Sequence, residues 1–329
     1  MIPSITDSGV KAALDAIKLE SATTEEKISM LIEMAQGFQK KPSCTQDLRN
    51  ALGLFYRAYE MCGDDYLLHK ARAQVGMAGT IQIIPGVDAE LLLQARVGYE
   101  EALQILQNLA SPLEVAEVKM NLGLILQLLV PYNLARMIDS IKFYQEALQV
   151  FIWQKYPQEY AILHNNIAIA YLSIPIAVEK ENLHQKLAIE SLETALQHIN
   201  LIDHPQEYAM LQNNLGNTLQ NLPNSHPLEN NLQAISAYNA ALKVRNSQDT
   251  PLEYAVTIAN KANALYNLID HPEQLAVLGK QENLSKVRMY YQEAWQIFTQ
   301  HQQLEQAEII AKTLQEIELA TPLESNKKC

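Results

Sequence analysis

Side-chain amides are the groups whose spacing suggests chemistry. Asn121, Asn166, Asn214 and Asn260 each fall nine residues after a proline, at Pro112, Pro157, Pro205 and Pro251. An amide carries both a donor and an acceptor. A regular row of them pairs with the N–H and C=O groups of an extended peptide without reading its side chains. The same groups also serve to cap or brace a neighbouring helix, and the spacing leaves both roles open. More amides flank these positions, at Asn165, Asn213, Asn217, Gln220, Asn263 and Asn267.

Other chemistry is poorly supported. No two of the eight histidines have HxxxH spacing, and His204 and His271 precede prolines, which puts them in loops or caps. No metal site is expected on this count. Glycine-rich phosphate loops and the G-x-S-x-G nucleophile turn are absent from the sequence. Glu25-Glu26, Asp64-Asp65 and Glu100-Glu101 are adjacent pairs, and neighbours on a helix point apart, so they read as solvated charges. No catalytic residue and no cofactor are expected, although distant residues of a repeat array can still assemble a pocket.

The formal net charge of −12 repels phosphate backbones and argues against nucleic acid. Cys44, Cys62 and Cys329 have no CxxC spacing; an odd set of this kind reads as free thiols in a reducing cytoplasm. Met1-Ile2-Pro3-Ser4 lacks the basic start and apolar run of a secretory signal. The longest apolar stretch, from Leu122 to Val130, is interrupted by Gln127 and is about half a membrane span. The expectation is a cytoplasmic protein that does not enter a membrane.

The elements that position the amides follow from internal repetition. Pro157-Gln158-Glu159-Tyr160-Ala161 recurs as Pro205-Gln206-Glu207-Tyr208-Ala209 and Pro251-Leu252-Glu253-Tyr254-Ala255, with a looser copy from Pro112; the intervals are 45, 48 and 46 residues. Proline is tolerated at a first helical position, and glutamate suits the positive end of the helix. Ser111 with Glu114, and Thr250 with Glu253, have the capping-box spacing. Tyr160, Tyr208 and Tyr254 read as packing between repeats.

A second phrase alternates with the first, as in Ala95/Tyr99/Ala102, Ser140/Tyr144/Ala147, Ala188/Leu192/Ala195 and Ala234/Tyr238/Ala241. Steps of four and three keep these residues on one helix face. The last alanine of each second phrase precedes the next asparagine by 19 residues in all four copies, whereas the interval from asparagine to the following alanine varies from 26 to 34. The constant interval implies a rigid junction, and the variable one a surface loop. Counting 19 on from Ala58 places a further copy at Met77-Ala78-Gly79.

Asn166-Ile167-Ala168 with Tyr171, followed by phrases such as Ala234, Tyr238 and Ala241-Leu242, resembles the tetratricopeptide (TPR) repeat, in a bacterial form longer than the usual period of about 34 residues. The resemblance covers residues 44–320. It implies an all-α, right-handed superhelical solenoid of antiparallel helix pairs, about fourteen helices in all. The chain then divides into an N-terminal cap (1–43, with helices over 7–19 and 23–40), a repeat array (44–303), a closing helix (304–320) and a flexible tail (321–329).

In such arrays the first helix of each pair lines a concave groove. Carried over, that places Asn165, Asn213, Asn217, Gln220, Asn263 and Asn267 in the groove, with Asn121, Asn166, Asn214 and Asn260 near it. The places that clamp a chaperone's C-terminal carboxylate in similar proteins hold Met120, Asn165, Asn213 and Ala259, none of them basic, which argues against chaperone tails. The resemblance thus implies a scaffold, adaptor or assembly factor that binds a protein or an extended peptide. A peptide-sensing regulator and an enzyme with a pocket inside the curl are the alternatives.

Overall fold

A computed structural model describes residues 21–174, 183–222, 226–268 and 280–320, together with Lys11 and Asp15. Among the described residues there are thirteen α-helices, one 3-10 turn and no strand. They are α1 (Thr24–Lys40), α2 (Thr45–Cys62), α3 (Leu67–Ile83), α4 (Ala89–Leu109), α5 (Pro112–Leu129), α6 (Met137–Leu148), α7 (Pro157–Leu172), α8 (Leu183–Leu196), α9 (Pro205–Gln220), α10 (Pro227–Ala241), α11 (Pro251–Asn267), α12 (Lys280–Gln300) and α13 (Leu304–Ala320). The expected helix over 7–19 and the expected tail over 321–329 fall outside the described residues, apart from Lys11 and Asp15. No helix among the described residues is long and apolar enough to cross a membrane.

The chain forms two compact units, Met1–Lys155 and Tyr156–Cys329. In the first, α1/α2, α3/α4 and α5/α6 are packed pairs; in the second, the pairs are α7/α8, α9/α10 and α11/α12, with α13 against α12. First helices of successive pairs also touch, α1 to α3 to α5 in one unit and α7 to α9 to α11 in the other. In the second unit this second set of contacts aligns the asparagine-bearing faces of α7, α9 and α11.

Several helix starts differ from the sequence reading. Ser111 Oγ accepts from the Glu114 N–H at 3.3 Å, but the Glu114 carboxylate reaches Arg72 instead of closing a capping box. Thr250 makes no side-chain cap; its hydroxyl accepts from the Asn246 N–H at 3.1 Å. Asn246 Oδ1 in turn accepts from the N–H groups of Gln248 and Asp249 at 2.9 and 2.8 Å. Asn200 makes the same turn with Ile202 and Asp203, at 2.9 and 3.0 Å. These self-closing asparagine turns follow the ends of α8 at Leu196 and α10 at Ala241. They brace two of the four 19-residue junctions, α8–α9 and α10–α11.

Within the pairs, small residues face rings. A Cβ on Gly123 would lie 2.3 Å from Tyr144 Cε1, and one on Gly216 would lie 2.7 Å from Tyr238 Cε1. Both rings are fully buried. Burial pushes the hydroxyl pKa of each above the usual tyrosine range, and each hydroxyl is satisfied by the partner helix. Tyr144 donates to Gln127 Oε1 at 2.9 Å, Tyr238 to Gln220 Oε1 at 3.0 Å, and Tyr99 to Gln82 Oε1 at 3.2 Å. In the α7/α8 pair, Ala168 and Leu192 share a core cluster in place of glycine and tyrosine.

The tyrosine–glutamine pairing also corrects a register. Gln127 and Gln220 lie six residues after Asn121 and Asn214, so Gln82 assigns the equivalent place on α3 to Gly76 and not to Met77. Gly76 is pressed against a ring as well, with Phe55 Cε1 2.3 Å from a built Cβ.

Gly123→Ala is expected to lower unfolding stability by about 1–3 kcal/mol through overpacking against Tyr144. Gly37→Ala, in α1 where a Cβ meets nothing within 4 Å, is expected to raise stability by about 0.5–1 kcal/mol. Urea unfolding followed by circular dichroism reads both changes; equal shifts of one sign would contradict the contact assignment.

Candidate functional site

In the second unit the amides of α7, α9 and α11 form one chain. Asn260 Nδ2 donates to Asn213 Oδ1 at 3.5 Å, and Asn213 Nδ2 donates to Asn214 Oδ1 at 3.1 Å. Asn214 Nδ2 then donates to Asn165 Oδ1. Asn165 and Asn213 are 6% and 5% exposed, so the structure places them in the seam between helices. A buried polar group without a partner costs about 1–3 kcal/mol, and here each amide supplies its neighbour's partner. Asn214 and Asn260 are half-buried on the same seam, and Asn166 is half-buried on α7.

The remaining amides stand outward. Asn217, Asn263 and Asn267 are exposed. Asn217 Oδ1 accepts from Asn221 at 3.2 Å, Asn267 Nδ2 donates to Asn231 Oδ1 on α10 at 3.5 Å, and Asn263 has no hydrogen-bond partner among the described residues. Gln220 is half-buried, and its Oε1 is engaged by Tyr238. On α11, Asn260, Asn263 and Asn267 follow steps of three and four and share one face; on α9 Asn213, Asn217 and Gln220 do the same.

In the first unit Asn121 lies on the equivalent helix, α5, and lines a cavity of about 370 Å³ with Gln36 and Gln39 of α1 and Arg72 of α3. Arg72 is held in a two-pronged ion pair, with Nε and an Nη atom 2.8 and 3.0 Å from the two Glu114 carboxylate oxygens. The hydrogen bond to Glu114 raises the guanidinium pKa further. This fixed charge was not legible in the sequence, because its two halves are 42 residues apart and Arg72 lies outside the recurring phrases, while Glu114 reads there as a helix-start residue.

No protein-family model matches the chain, and no curated protein matches it. Two solved structures are similar over most of its length. One is the "TPR2AB-domain:pHSP90-complex of yeast Sti1", at 15% identity over 89% of this chain and 99% of that one, with a TM-score of 0.28. The other is a Rap protein complexed with competence and sporulation factor, at 13% identity over 91% and 99%, with a TM-score of 0.36. The fold follows from the chain's own period and helix pairing. The chain is an all-helical protein of sequentially packed helix pairs.

Two contacts in this helical-repeat protein look catalytic and differ from a catalytic arrangement in a defined way. Ser191 Oγ donates to the His164 backbone C=O at 2.9 Å and lies 3.0 Å from His164 Nδ1. The hydroxyl has one proton, so the ring N–H is the donor to Oγ, and the serine is not activated as a nucleophile. His69 Nε2 faces both Ser29 Oγ, at 3.3 Å, and Glu25 Oε1, at 4.0 Å. A relay needs the acid on the opposite ring nitrogen. Among the described residues, no group of three or more His, Cys, Asp or Glu is placed to hold a metal ion.

His164 instead braces α7 against α8 through Ser191, and its ring lies 4.5 Å from that of Tyr160 on its own helix. Burial, then the nearby His198 charge, lowers its pKa to about 4, against the opposing effect of the hydrogen bond the ring donates to Ser191. A base with a depressed folded-state pKa takes up its proton more readily when unfolded, so stability declines as pH falls from about 6.5 toward 4. The loss is expected to reach about 2–3 kcal/mol. Thermal unfolding between pH 7 and 4.5 checks this: His164→Gln should flatten the decline, and an unchanged slope would remove His164 as its source.

Proposed function

We propose that the chain is a scaffold for an extended peptide segment, held by the outward amides of α9 and α11. The supporting observation is that Asn217, Asn263 and Asn267 stand exposed on helices whose facing sides are tied by the chain Asn260–Asn213–Asn214–Asn165. The seam amides hold neighbouring helices in a set rotation, and the outward amides are thereby pre-positioned, which lowers the ordering cost of binding.

The spacing suits a main chain. Packed helices lie about 8–10 Å apart, and an extended segment advances about 3.3 Å per residue, so each helix meets roughly every third residue. A neutral amide matches either sign of backbone dipole and selects no charge. The absence of a basic residue at Met120, Asn165, Asn213 and Ala259 favours an internal segment over a terminal carboxylate.

The test is selection from a library of uncharged peptides, followed by calorimetry on the best binder. Asn217→Ala with Asn263→Ala is expected to weaken binding on the order of 10-fold, the value of one or two hydrogen bonds, and to leave the thermal midpoint unchanged. Asn214→Ala is expected to lower the midpoint as well, because it strands Asn165 and Asn213. Methylating alternate backbone nitrogens of the peptide should abolish binding. Full affinity in the double variant, or for the methylated peptide, would refute main-chain recognition.

A further inference from the structure

The first unit carries a second groove on the other side of α3. Arg72, Gly76 and Gly79 border the amide-lined cavity, whereas Gln74, Met77 and Ile81 floor a groove of about 750 Å³ between α2 and α4. At 100° per residue the two sets point about 180° apart on α3. The walls of this second groove include Tyr56 and Tyr59 from α2 and Leu91 and Val97 from α4. Leu91 and Val97 are 37% and 48% exposed. An exposed apolar strip framed by tyrosines and a methionine has the make-up of a contact surface.

The charge around the groove is one-sided. Its fifteen lining residues include two carboxylates, Glu90 and Glu101, and no cation. Neither carboxylate has an ion-pair partner among the described residues, and Glu101 receives only a neutral donation from Gln74 Nε2 at 2.8 Å. Lys70 stands 5.4 Å from the centre of the Tyr59 ring but is already paired with Asp64 at 3.3 Å. The two carboxylates are eleven residues apart on α4, which is about 16 Å, or three turns, and nearly the same rotational position.

We propose that this groove docks an amphipathic helix of a partner protein, with apolar residues at the i, i+3, i+4 and i+7 positions and a lysine or arginine at each end, three turns apart. The groove is walled and floored by helices, whose backbone groups are already bonded internally. It therefore offers an incoming segment side chains only. An extended segment would lose water from its N–H and C=O groups and gain nothing in return, whereas a helix brings its own backbone bonds and presents one apolar face. The basic ends complete Glu90 and Glu101. A second copy of this chain, itself at −12, is a poor match for an acidic rim. This surface is separate from the amides of α9 and α11 and does not depend on them.

The probe is a fluorescein-labelled synthetic 18-residue helix with leucines at the four apolar positions and lysines eleven residues apart, titrated into the full chain by anisotropy. A second peptide replaces both lysines with glutamate. The lysine peptide is expected to bind about 10-fold or more tightly than the glutamate peptide. Val97→Asp should abolish binding, and Glu90→Lys with Glu101→Lys should reverse the preference. Val97 and Glu90 are exposed, so Val97→Asp should leave circular dichroism and the thermal midpoint unchanged; Glu101→Lys also removes the acceptor of Gln74 Nε2, so the charge-reversed variant should keep its helicity with a slightly lower midpoint. The Asn217→Ala/Asn263→Ala variant should bind the lysine peptide normally. No binding up to about 1 mM, equal affinity for the two peptides, or indifference to Val97→Asp would overturn the proposal. So would a dimer, seen by sedimentation, that Val97→Asp dissociates, because the groove would then hold a second copy.

Discussion

The close approach of two helices, with a small residue on one against a buried ring on the other, is the constraint from which the rest of the architecture follows. Gly123 under Tyr144 and Gly216 under Tyr238 leave no room for a Cβ. Each ring hydroxyl must find an acceptor once it leaves water, and the glutamine four residues after the glycine supplies it. Contact and hydrogen bond together fix both the separation and the rotation of a pair. Once the second helix is fixed in this way, the rotation of the first helix is fixed with it. That rotation turns the asparagines of α9 toward α7 and α11.

The asparagines thus answer to two demands. Those in the seam, Asn165 and Asn213, are nearly inaccessible and satisfy one another, so their role within the fold is to join helices from different repeats. Those one turn further along α9 and α11 remain in water. A seam of amides is a weaker glue than an apolar seam, but it is directional, and a directional seam holds the outward groups at a fixed angle. On α3 of the first unit the seam is built differently: Gly76 and Gly79 stand where a side chain would be, and Arg72 with Glu114 supplies the polar link. That helix is left with two working faces, one polar and one apolar.

Much of this was legible from residue spacing. The proline–glutamate phrases mark true helix starts at Pro112, Pro157, Pro205 and Pro251, because a first-turn proline and an acidic first turn act within a few residues of themselves. The alternating small and bulky residues mark true buried faces, since Ala95, Tyr99 and Ala102 are all inaccessible. The misreadings share a different character. Thr250 has the spacing of a cap but turns to Asn246, because the asparagine turn before it competes for the same hydroxyl. The Met77 register slipped by one residue because the α2–α3 connection is a residue shorter than the 19-residue rule assumes, and only the Tyr99–Gln82 bond reveals it.

The amino-acid sequence by itself determined which segments are helical, where most of them begin, which face of each is apolar, and that the repeat is a helix pair. All of these follow from interactions spanning one or two turns, and a linear pattern records such interactions directly. Which asparagines are spent on one another and which face water, the pairing of Arg72 with Glu114, and the groove that joins Tyr56 to Val97 were decided by tertiary structure alone. Those contacts join residues about 40 or more positions apart. They depend on the rotation of each helix about its own axis, which is set by packing against a neighbour and has no local signature.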